Sequence, residues 1–540
     1  MVEKNVEKIG VIFVHGIGEQ RRFEHLEAQV RPLIDAIQRR SGDLDVTIEI
    51  VGASASVLHA DQDTWAAGAA APVRAIVRDR TGETHLHFHE VWWADVNEPY
   101  TFAKEWRFWA WGLAVWNLPN KLKSTLRGAS AMVRPRFRHG LTKRDEFFAR
   151  MKLFFASNVF LMGASTVGLA VYLARRLLGY SAPNVVRVFV NYLSAVKLYS
   201  QVERSDGGFL DAYRAPPRVS IRRRMIRTML DVAAAPYDRW YVFAHSLGSV
   251  VAFNGLMENA HCLANYLDEE RCKQFYGTLV GKAQSQHFLG DTGDMVPARP
   301  LWLADDDVVY REKVLEKFRG LLTYGSPLDK FATIWPARVP INVREAFFHP
   351  DAEWINVYDP TDPVGASLEA FGGPGAPFPE SILQPKNYGY RAHWLLLYSR
   401  LRYLHVHKSR KCELSDAAME WVLSGQKFSP PASPHEDRWF TPASRVETQR
   451  TLWARAMWIV VYVGLTLAAA LVLPTIITLI ADMSWLSSLS MRVLALVVVV
   501  MAITLLAGLI ARRWIFERDH DDAQRRTGKE PKRPEGYRRD

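Results

Sequence analysis

The stretch VFAHSLGSVV, residues 242–251, sets one serine between two apolar runs. Trp240 to Ala244 read as a buried strand, and Val250 to Met257 as a helix. Ser246 lies at the turn between them. A serine there has two readings. It can cap the helix N-terminus, or it can be a nucleophile raised on a strained strand-to-helix turn. The second reading needs small residues two before and two after the serine, because such a turn leaves no room for bulk. Ala244 and Gly248 meet that need. The pattern G-x-S-x-G is missed only at Ala244, where smallness is what counts.

The segment KIGVIFVHGIGEQ (8–20) supplies a second strand, Ile9 to Val14, ending in His15, Gly16, Ile17 and Gly18. A helix follows, with Leu26, Val30, Leu33, Ile34 and Ile37 on one face. Glycines after a strand let backbone N–H groups approach a substrate oxygen, although such a loop is also a plain tight turn in many folds. LLTYGSPLDKF (321–331) reads as a further core strand, with Ser326 structural. WINVYDPTDPVGAS (354–367) is another strand, followed by Asp359 and Asp362. Asp362 is the expected acid and Asp359 the runner-up, since one of the pair suits turn-capping around Pro360. In YGYRAHWLLLYSRLR (388–402), His393 is the first histidine after Asp362, at a loop-to-helix junction.

The set VHGIG, HSLGS, YGSPL and DPTDPV, with a following AHW, resembles serine lipases and esterases of the α/β-hydrolase fold. It is most similar to intracellular phospholipase A1 (DDHD-type) and PGAP1-like acyl hydrolases. The resemblance implies a mostly parallel sheet flanked by helices, with the chain order nucleophile, acid, histidine: Ser246, Asp362, His393. It implies acyl transfer through an acyl-enzyme. Backbone N–H groups of Leu247 and Ile17 would meet the oxyanion, with His15, Gly16, Gly18 and Gly248 shaping the loops. No metal or other cofactor is expected.

Two other clusters attract a metal reading. HLHFHE puts His85, His87 and His89 on one face of a presumed strand. No carboxylate or cysteine motif completes a site, so a half-buried strand face is expected. ADDDVV (304–309) suits a solvated helix start. Cys262, Cys272 and Cys412 form no C-x-x-C pair, which excludes a zinc ribbon or a dithiol redox motif.

With 49% hydrophobic and 23% charged residues, the 540-residue chain has globular composition, and its formal charge of +11 is concentrated beside apolar runs. Residues 457–481 and 493–511 carry no charge, and each is long enough to span a bilayer. Arg445, Arg450 and Arg455 precede them, and Arg512, Arg513, Arg518, Arg525 and Arg526 follow. The positive-inside rule places both ends of this hairpin in the cytoplasm. Residues 153–174 are also long and apolar, 108–119 are rich in tryptophan, and eight lysines and arginines lie between Lys121 and Arg144. That combination suits an interface with anionic lipid better than nucleic acid. The charged N-terminus, MVEKNVEKIG, lacks the apolar core of a signal peptide.

The expected organisation is a hydrolase domain in two pieces, 1–103 and 181–428, around a basic, aromatic membrane-associated insertion at 104–180. A linker (429–452), a transmembrane hairpin (453–513) and a charged disordered tail (514–540) follow. The catalytic domain is expected on the cytoplasmic face of a bacterial inner membrane. The expected activity is cleavage of a lipid or other hydrophobic carboxylic ester. A thioesterase or protein deacylase of the same fold is an alternative, as is an inactive hydrolase fold serving as a membrane interaction module.

Overall fold

The computed structural model describes residues 6–16, 24–40, 45–49, 73–78, 82–93, 217–258, 309–329, 348–362, 383–393, 413–430 and 438–454 almost continuously, with isolated residues elsewhere. The chain divides into two compact units. One comprises Met1–Glu98 and Glu203–Ala454, and the other Pro99–Val202 and Arg455–Asp540. The first unit holds the sheet, and with it Ser246, Asp362 and His393.

Apolar β-branched runs favour strands buried on both faces, the usual setting of a parallel sheet. The described strands are β1 (Val6–Val14), β2 (Asp45–Glu49), β3 (Val73–Arg78), β4 (Glu83–Val91), β5 (Arg239–His245), β6 (Phe318–Tyr324), β7 (Glu353–Tyr358), β8 (Pro385–Tyr390) and β9 (Trp439–Phe440). They form one sheet in the order β2-β3-β4-β1-β5-β6-β7-β8-β9. From β4 across to β8 every pairing is parallel, while β2, β3 and β9 join antiparallel at the two edges. Strand β1 pairs with the central strand, β5, from Ile9↔Arg239 to Val14↔Ala244.

Helices cover both faces. They are α1 (Glu24–Arg40), α2 (Pro217–Ala234), α3 (Leu247–Leu256), α4 (Arg311–Val314) and α5 (Leu414–Ser424). Strand alternation sends Val11, Phe13, Tyr241, Phe243, Leu322 and Ile355 into the core shared with α1 and α5. Leu26, Val30, Leu33, Ile34 and Ile37 of α1 are all buried there, as their helical spacing predicts. The opposite face meets α2 and α3. Gly10 leaves room for the Tyr237 ring, Gly255 for Met225, and Trp354 packs on Phe253 with ring centroids 5.4 Å apart.

Among the described residues no helix is long and apolar enough to cross a membrane. The insertion 104–180, and the apolar runs 457–481 and 493–511 apart from a few positions up to 464, lie outside the described residues. Residues 304–308 lie outside them too.

Candidate active site

Parallel strands all end on one side, so the loops after β1, β5, β7 and β8 share one rim of the sheet. Ser246 follows β5, Asp359 and Asp362 follow β7, and His393 follows β8. Ser246 is the one non-glycine residue with positive φ among the described residues, at φ 56°, ψ −129°. Side chains other than hydrogen resist that region, at a cost of about 1–3 kcal/mol. The hydroxyl makes no capping bond to α3, so the helix-cap reading of Ser246 fails.

Its neighbours hold the strained turn in place. The Ser246 N–H donates to Tyr324 O at 3.0 Å, which ties the turn to the end of β6. The Ser246 carbonyl accepts from Ser249 N at 2.9 Å and from Ser249 Oγ at 2.6 Å. With the Ser249 proton so used, Ser326 donates to Ser249 Oγ at 2.7 Å. Ser326 is thus structural, as its sequence setting suggested, and Ser249 is a brace that the sequence alone did not single out.

Two glycines allow the loops to meet. A methyl group at Gly16 would lie 2.6 Å from Ser246 Cβ and 3.1 Å from its Oγ. One at Gly248 would lie 2.3 Å from Val14 O and 2.5 Å from His15 O. The loop after β1 therefore rests directly on the serine. Leu247 opens α3, and its N–H is among the first-turn donors that have no carbonyl partner within the helix. Ile17 and Gly18 lie outside the described residues.

His15 is a brace for this loop. Its Nε2 accepts from Trp93 N–H at 3.0 Å, so Nδ1 carries the proton and donates to Gly16 O at 2.7 Å. Its ring stacks on Trp93 at 4.9 Å, and the indole N–H donates to His15 O at 3.2 Å.

The two aspartate carboxylates have different partners. Both are buried. Asp359 is enclosed by donors: Oδ1 accepts from Thr361 N and Oγ1 at 2.9 and 2.8 Å, and both oxygens accept from Arg450 at 2.6–3.0 Å. Its Oδ2 also takes the N–H of Ala392 at 2.9 Å. Asp362 accepts from Val364 N at 2.8 Å through Oδ1 and from the Tyr403 hydroxyl at 3.1 Å through Oδ2. The latter oxygen lies against Gly325 and Gly365, where a methyl group would come within 2.9 Å of it. Tyr403 also accepts the Asp359 N–H at 2.9 Å. Burial above all, then the Asp362 and Asp359 carboxylates, hold the Tyr403 phenol well above its usual range, so it remains a donor to Asp362.

Aromatic rings link these loops laterally. His245, half-buried, stacks on Tyr324 at 5.0 Å and lies 6.5 Å from the Tyr403 ring. Tyr403 in turn is 6.0 Å from Tyr324 and 6.5 Å from Tyr390. His393 is half-buried, and its carbonyl accepts from Arg450 Nη2 at 2.6 Å.

The histidines of β4 form no metal cluster with the other described residues. His85 pairs with Glu83 at 2.5 Å, and His89 Nε2 meets the Tyr237 hydroxyl at 2.8 Å. His87 sets its ring edge-on to Tyr237 at 5.3 Å. Burial pushes His87 down to about 4 and His89 to about 3, so both imidazoles are neutral near pH 7.

Compared with protein-family models, with curated proteins and with solved structures, the chain matches none.

Proposed function

We propose that this chain is a serine hydrolase that cleaves a carboxylic ester of a lipid or another hydrophobic acyl compound. The observation that carries this reading is the backbone of Ser246: a non-glycine residue held at φ 56° immediately after a central strand, with Gly16 against its hydroxyl. A fold keeps such strain where a side chain must project from a tight turn. The finer assignment to the α/β-hydrolase fold rests on that turn together with the positions of Asp362 after β7 and His393 after β8.

In the proposed reaction Ser246 Oγ attacks the ester carbonyl, and His393 takes the serine proton. The tetrahedral oxyanion is met by the Leu247 N–H and by an N–H of the Gly16–Gly18 loop. As the tetrahedral adduct collapses, the carbon–oxygen bond to the leaving alcohol breaks and His393 hands that alcohol the proton. Water, deprotonated by His393, then releases the acid and frees Ser246. Asp362 orients the imidazole and stabilises its charged form. Tyr403 holds Asp362 through an uncharged donor.

Support for a hydrophobic substrate comes from the sequence: the apolar runs 153–174, 457–481 and 493–511 suit a membrane-anchored enzyme, with anionic lipid beside the basic stretch from Lys121 to Arg144. The test is reaction of the full-length protein, in its membrane fraction, with a fluorophosphonate probe. The expected result is a single adduct that maps to Ser246 and disappears in Ser246→Ala. A folded wild-type protein that takes no label would leave the inactive-scaffold alternative standing instead.

A further inference from the structure

We propose that Arg450 is a positioning residue for His393, and that through it the C-terminal segment sets the geometry of the active-site histidine. This rests on the serine-hydrolase reading above.

The backbone before and after the His393 side chain has one common anchor. Ala392 N–H, one residue earlier, donates to Asp359 Oδ2, and His393 C=O accepts from Arg450 Nη2 at 2.6 Å. Asp359 and Arg450 are themselves an ion pair, with side-chain exposures of 0% and 8%. Thr361 Oγ1 joins them, accepting from Arg450 Nη2 at 2.9 Å. Arg450 thus meets the carboxylate through both Nε and Nη2 while Nη2 also reaches the hydroxyl and the histidine's own carbonyl, a two-nitrogen contact that a lysine ammonium does not reproduce. A buried ion pair contributes little net stability compared with well-packed apolar residues. What this pair supplies is a fixed direction for the loop after β8.

The segment that carries Arg450 gives the inference its second half. Helix 445–454 starts on Ser444, whose Oγ accepts the Glu447 N–H at 3.1 Å. Glu447 accepts the Tyr358 hydroxyl at 2.8 Å, so the helix is fastened to the end of β7. Arg450 and Ala454, four residues apart, are buried, whereas Leu452 and Trp453 on the other side are 57% and 46% exposed. At Arg455 the chain passes into the second unit, and the apolar run 457–481 begins two residues later. Within about two helical turns, then, the chain goes from the clamp on His393 to the first apolar span.

The test uses the full-length protein and a chromogenic short-chain ester, with wild type, Arg450→Lys, Arg450→Ala and Thr361→Val, each assayed at a temperature below its own cooperative melting transition, since Arg450→Ala is expected to melt earlier. The expected result for Arg450→Ala is a fall in kcat of about 100-fold with KM unchanged, since a displacement of roughly 1 Å in a reacting group has that effect. Guanidinium ion added to the medium restores part of the lost kcat in Arg450→Ala but none in Asp362→Asn. Arg450→Lys keeps the charge and Thr361→Val keeps the volume, and both are expected to show smaller losses, again in kcat alone. Wild-type kcat in the folded Arg450→Lys and Thr361→Val variants overturns the inference, as does a loss in KM rather than kcat. Wild-type protein that neither turns over ester nor takes the fluorophosphonate label overturns the hydrolase reading, and the positioning role with it. Labelled wild type with equally active Arg450 variants removes the positioning role alone.

Discussion

At the rim formed by the ends of β5, β7 and β8, polar side chains stand in loops and meet partners from distant parts of the chain. On the face of β4, His87 and His89 belong to the strand itself, His87 half-buried and His89 buried. Strand alternation fixes what those two residues see: the Tyr237 ring, which packs against Gly10, and little water. Loops are under no such alternation, so donors can be gathered around Asp359 from Thr361, Ala392 and Arg450. The same sheet therefore neutralises titratable groups along its face and organises them at its edge.

The sharpest way to test that contrast is within the rim. Asp362→Asn keeps the shape and removes the charge of the proposed catalytic acid, so kcat on an ester substrate is expected to fall about 10⁴-fold with the fold intact. Asp359→Asn should do its first damage to stability. It leaves the Arg450 charge buried without its carboxylate, a change of the kind that costs about 3–5 kcal/mol, read from urea unfolding. The reverse pattern would make Asp359 the acid.

A smaller effect is expected at the meeting of the loops. Gly248→Ala forces a methyl group into the carbonyls of Val14 and His15, and the backbone must yield. A shift of the Leu247 N–H by a fraction of an ångström should slow fluorophosphonate labelling by about 10- to 100-fold. Labelling at the wild-type rate would show that the Val14–His15 loop can move aside.

The smallest effect belongs to the strand face and appears only in acid. The folded-state values of His87, about 4, and His89, about 3, lie below the ordinary value near 6.5. As pH falls, the unfolded chain takes up protons first. The stability contributed by the neutral imidazoles is complete above about pH 6.5 and is lost as pH falls toward 4 and 3. His87→Leu should flatten the decline in urea midpoint between pH 6.5 and 4, and leave ester turnover at pH 7 unchanged. An identical decline in the variant would mean that His87 titrates alike folded and unfolded.

The central strands were legible because a parallel sheet leaves an unbroken apolar record, as in Ile9–Val14, Trp240–Ala244 and Trp354–Tyr358. Ser246 and Asp362 could be placed for a related reason, since each follows a strand end that the pattern marks, whereas β8 before His393 reads PKNYGY and leaves no such record. What marked Asp359 as a candidate acid was only its closeness to such an end. Its actual partner, Arg450, lies 91 residues away. Tyr403 reaches Asp362 across 41 residues, and no local periodicity signals either contact. The burial of arginines in α2 is equally silent in the local pattern. Arg218 and Arg222 are buried, and Arg222 pairs with Glu258 at 3.2 Å, beyond the end of α3.

The pairing of β1 with β5 has a consequence in time. Val14 finds its partner Ala244 only after about 230 further residues have been made, which at usual elongation rates takes about 10–50 s. Until then one side of Ile9–Val14 is an open apolar edge, the kind that joins other chains. The whole stretch 99–202 leaves the ribosome during that wait. The order of synthesis thus delivers the second unit's first segment before the nucleophile turn can close, and it leaves β1 as the part of the chain that most needs a chaperone.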